Sequence, residues 1–105
     1  MPMTVIVLRG VEPRYHGFLA SVMLEIAPGV FTAPNLAKPV RLRIWAVLED
    51  WYGTLRQGSA LMTWRDPAEP CGQGLTSLGE QPRRFAEVDG IVLVRRDTAT
   101  VASPP

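Results

Sequence analysis

Residues 3–8 read Met-Thr-Val-Ile-Val-Leu, a near-continuous run of β-branched and apolar side chains stopped by Arg9-Gly10. A run of that length and composition predicts a central strand covered on at least one face. After Glu12-Pro13 the pattern changes. Tyr15, Phe18, Leu19 and Val22 fall at helical spacing, which predicts a helix to about residue 21 that leaves Arg14 and Gly17 off the buried stripe. Pro13 suits its first turn, where a backbone donor would go unused. Segments 22–27 and 30–33 flank Pro28-Gly29, a turn signal that joins two short strands. Asn35 is placed to cap a second helix over 36–55, with Leu36, Val40, Ile44, Val47, Leu48 and Trp51 on its apolar side and Pro39 confined to the first turn. Gly58 ends that connection. Residues 60–64 form a fourth strand, 66–70 a proline-rich excursion, 73–78 a weaker strand and 91–94 a last one. The tail 97–105, rich in Ala, Thr, Ser and Pro, is expected to be disordered.

The order strand, helix, strand, strand, helix, strand, with two strands appended, predicts an α+β ferredoxin-like βαββαβ sandwich with both helices on one face of an antiparallel sheet. One domain over residues 1–96 follows, since a chain of 105 residues supports a single modest core. The second sheet face is left uncovered. Runs as apolar as 4–8 and 60–64 need a cover there, and a second copy of the chain is the simplest, so a symmetric homodimer with sheets face to face is expected.

The formal net charge is only +1, which by itself says nothing for a polyanionic partner; ten of the eleven cations are arginine, whose planar fork suits phosphate. Their placement has to carry the argument. Cys71 stands alone, which excludes an internal disulfide and a cysteine-built zinc site and makes the cytoplasm the expected compartment. No run is long enough to span a membrane, and the N-terminal segment is too short for a signal peptide. Phosphate-binding glycine loops, paired histidine ligands and nucleophile elbows are missing from the sequence. His16, the single histidine, reads as a surface or capping side chain. The three tryptophans read as core or interface residues.

The stretch Leu78-Gly79-Glu80-Gln81-Pro82-Arg83-Arg84, followed by Asp89-Gly90, predicts a tight loop carrying two adjacent guanidiniums. Together with Arg14 on the first helix, Lys38 and Arg41 opening the second, and Trp45 and Trp64 in their apolar runs, it resembles the small CRISPR adaptation proteins of the Cas two family, subtype I-E. The resemblance covers residues 1 to about 96. It implies that Arg14, Lys38, Arg41, Arg83 and Arg84 contact the sugar-phosphate backbone of a DNA duplex, and that Glu69, Asp89 and the segment from Ile91 dock the CRISPR integrase, Cas one. Phosphate contacts carry little base information, so such binding is sequence-independent and steeply salt-dependent.

The family also carries an acidic residue at the end of the first strand, where two copies can hold a divalent cation for phosphodiester cleavage. Arg9 stands there in this chain. A guanidinium cannot ligate a metal, so the expectation is a non-catalytic scaffold without a cofactor. Two alternatives stay open: a magnesium-dependent endonuclease using Glu12 as a substitute ligand, and a ferredoxin-like module binding a small effector. Further departures from the family pattern are one extra residue before Trp45, Gln81-Pro82 in place of an asparagine, and Phe85-Ala86-Glu87 in place of a proline-containing segment.

Overall fold

The computed structural model describes residues 3–79, 84–88 and 91–95, the last two segments as backbone. The first run forms β1 (Thr4–Arg9), whose alternate residues Thr4, Ile6 and Leu8 are buried. Pro13 opens α1 (Pro13–Val22), which ends as the Met23 N–H donates to the Leu19 carbonyl at 2.7 Å. Strands β2 (Leu24–Ala27) and β3 (Val30–Ala33) make the hairpin expected around Pro28-Gly29. Helix α2 (Lys38–Thr54) is followed by β4 (Ser59–Arg65) and β5 (Gln73–Leu78). A five-stranded antiparallel sheet results, in the order β2-β3-β1-β4-β5, which fits the ferredoxin-like expectation.

Register fixes the faces of this sheet. Ile6 lies opposite Phe31 and Met62, and Leu8 opposite Ala60, so these residues share one face and pack with Tyr15, Leu19, Ile44, Trp45 and Leu48 of the helices. Val5, Val7, Leu61 and Leu75 point to the other side and are only half-buried. Edge strand β2 leaves Leu24 and Ile26 at 66% and 60% exposure.

Four local expectations need correction, the first being Val22 of α1, which is 43% exposed and lies off the buried stripe. The N-cap of α2 is Ala37 instead of Asn35, because Pro39 has to lie at the start of the first turn and so pulls the helix start to Lys38. Val40 consequently turns outward, and Arg41 joins Ile44, Trp45 and Leu48 on the interior face. Arg84, expected in a loop, is the first residue of β6 (Arg84–Val88), which pairs with β7 (Ile91–Arg95) as a separate two-stranded sheet. Residues 97–105 lie outside the described residues. No helix among the described residues is long and apolar enough to cross a membrane.

Candidate nucleic-acid interface

Of the sequence-predicted cations, the described Arg9, Arg14, Lys38 and Arg41 divide between the two ends of the five-stranded sheet. Arg9 closes β1 opposite Ser59 and is exposed. The backbone is crowded at this end: a Cβ on Gly58 would come within 2.5 Å of the Arg9 carbonyl oxygen, so only glycine fits there. Gly79, at the close of β5, abuts the Gly58 carbonyl at the same end. Arg14 also belongs here, in the first turn of the helix that follows β1.

The Arg14 guanidinium has two partners. It lies over the Trp51 ring, 4.6 Å from the centroid, and one of its Nη atoms is 3.4 Å from Glu12 Oε1. Its side chain remains 45% exposed. Trp51 is itself wedged edge-to-face against Tyr15 and Phe18, with centroids at 5.4 and 5.6 Å, so the stacking surface is firmly seated. Burial, and then the Glu12 carboxylate, raise the pKa of the Tyr15 phenol.

At the opposite end, Thr4, Trp64 and Gly74 lie side by side on β1, β4 and β5. Arg41 stacks on Trp64 at 4.2 Å from the ring centroid and is only 3% exposed. Its Nε, Trp64 Nε1 and Thr4 Oγ1 are buried without a hydrogen-bond partner among the described residues. Lys38, three residues before it, is exposed at the helix start, as is Arg43. Since α2 rises 1.5 Å per residue, the Arg41 and Trp51 positions are separated by about 15 Å along the helix axis. The structure therefore separates Arg14 from Lys38, and takes Arg41 off the surface.

The remaining sites are less well placed. Glu69 is exposed and precedes a one-turn 3-10 segment (Pro70–Gly72), with its N–H donating to the Asp66 carbonyl at 3.0 Å. Ile91 begins β7 opposite Val88, while Arg83 and Asp89 lie outside the described residues. His16 Nδ1 is 4.0 Å from Glu25 Oε2, and that carboxylate also accepts the Gly29 N–H at 3.0 Å.

At the end of β1 the Arg9 guanidinium offers no metal-ligand atom and Glu12 is engaged with Arg14. Sequence reasoning missed both arginine–tryptophan stacks and the Glu12–Arg14 pair. Helical periodicity marked Trp51 as apolar, but nothing local in the sequence reports which cation lies across its face. Residues 3–93 match the profile of the family described as CRISPR-associated protein (Cas_Cas2CT1978), and with that match spanning most of its length the chain belongs to this CRISPR-associated Cas2 family.

Proposed function

We propose that this chain is a non-catalytic scaffold of CRISPR spacer acquisition, of the subtype I-E kind: a cytoplasmic homodimer that grips the backbone of captured duplex DNA and bridges dimers of the integrase. The observation that carries this reading is the end of β1, where Arg9 replaces a metal-binding acid and Glu12 is paired with Arg14. Such a site adds positive potential where a nuclease would need carboxylates. Arg14, Lys38, Arg83 and Arg84 are the phosphate contacts in this reading. Arg41 is reassigned to a structural role, because a guanidinium buried against Trp64 is not presented to a duplex. The half-buried apolar face of Val5, Val7, Leu61 and Leu75 supports pairing with a second copy, and exposed Glu69 is available to a partner.

The test is a gel shift on a forked duplex, with and without the integrase, run beside a cleavage assay with and without chelator. The reading expects salt-sensitive binding, association with the integrase and no chelator-sensitive cutting. Cutting that requires magnesium would replace it with the nuclease alternative. Unchanged duplex affinity after Arg83 and Arg84 are both changed to Ala would remove the phosphate-gripping role of that pair.

A further inference from the structure

The immediate surroundings of Arg14 hold more than a surface cation requires. Glu12 is the N-cap residue of α1, the position from which an acid ordinarily accepts helix N–H groups, yet its side chain makes no capping hydrogen bond. Its carboxylate turns to Arg14 instead, and Oε1 is shut off from solvent with no hydrogen bond of good geometry, only the 3.4 Å ionic contact. On the guanidinium's other side, Trp51 covers a face and restricts its swing. An arginine fork binds carboxylate and phosphate through the same donors, so an anion seeking Arg14 meets a carboxylate already on one edge of it.

We propose that Glu12 is an internal competitor for phosphate at Arg14, and that Trp51 is a positioning residue that holds the guanidinium ready for the exchange. This deepens the duplex-binding reading and rests on it. An isolated phosphate gains little by displacing Glu12. A duplex that engages neighbouring cations together can do so, and the pair thereby biases the site toward polyanions.

The experiment is fluorescence anisotropy of a labelled duplex at low salt with wild-type chain, Glu12→Gln, Trp51→Phe, Arg14→Ala, and each of the first two substitutions combined with Arg14→Ala. Thermal melts of every variant confirm folding; Trp51→Phe keeps a ring in the site and leaves Glu12→Gln as an independent arm. Glu12→Gln is expected to tighten binding about two- to five-fold, and Trp51→Phe to weaken it about two-fold. Both effects vanish in the Arg14→Ala background, a coupling that simple loss of stability would not produce. A Glu12→Gln variant that binds no better than wild type, or whose gain persists without Arg14, overturns the competitor role. A Trp51→Phe loss that persists without Arg14 overturns the positioning role. Duplex binding by the wild type that ignores Arg14→Ala sinks this inference alone, whereas no duplex binding at all sinks the scaffold reading with it.

Discussion

Arg14 and Arg41 each lie over a tryptophan, at 4.6 and 4.2 Å, yet they differ in nearly everything else. Arg14 is near the end of the sheet where β1 finishes, half open to solvent and paired with Glu12. Arg41 is at the end where β1 begins, 3% exposed, with Nε unpartnered and no carboxylate within ion-pair reach among the described residues. Stacking on an indole therefore does not decide what an arginine does. What decides is whether its donor edges face water. An exposed edge can trade one anion for another, whereas a buried guanidinium serves mainly through its stem and flat face as packing.

The largest effect expected from breaking this contrast is at the buried end. A Cβ on Gly74 would lie 2.1 Å from Trp64 Cε2, so Gly74→Ala forces the indole away from Arg41. It should cost about 3 kcal/mol in chemical denaturation. Arg41→Ala comes next, at about 2 kcal/mol, because it empties a packed site between α2 and Trp64. Arg41→Met keeps most of that volume and removes an incompletely bonded charge, so it should change stability by less than about 1 kcal/mol. A large loss with Arg41→Met would mean that the guanidinium has a counter-charge and that packing is not its main role.

At the open end the stability effects are smaller. Arg14→Ala should cost under about 1 kcal/mol, since an exposed ion pair and an exposed cation–π contact are each weak in water. Tyr15→Phe should be nearly neutral at pH 7, because the buried hydroxyl has no hydrogen-bond partner among the described residues. Its signature is alkaline. The phenol pKa is raised in the folded chain above 10.0, so the unfolded chain releases the proton first, and stability falls as pH rises from about 10 through the raised value. Tyr15→Phe should abolish that fall in melts compared at pH 8 and about pH 11.

How much of this was readable beforehand follows the range of the interactions. The continuous run before Arg9 and the period of Tyr15 and Leu19 are local signals, and they place β1 and α1 correctly. Pro28-Gly29 marks a hairpin for the same reason. Strand β6 was missed although Asp89-Gly90 is a turn signal, because two adjacent arginines before Phe85 read as a loop. Arg41 was misjudged on physical grounds: an arginine at an interior helix position looks polar until the partner that covers it, Trp64, is brought across by the sheet. Arg9 and Glu12 could be singled out from the sequence, but the tie between Glu12 and Arg14 depends on a side-chain orientation that sequence spacing does not specify.

The contrast between the two arginines is tested most directly by the slope of log affinity against log salt for a duplex, measured on wild type, Arg14→Ala and Arg41→Met. A phosphate contact contributes about 0.9 to that slope. The slope should fall by about that amount for each Arg14 lost and should match wild type in Arg41→Met. A flatter slope in Arg41→Met with no change in Arg14→Ala would contradict the account and exchange the roles assigned to the two ends.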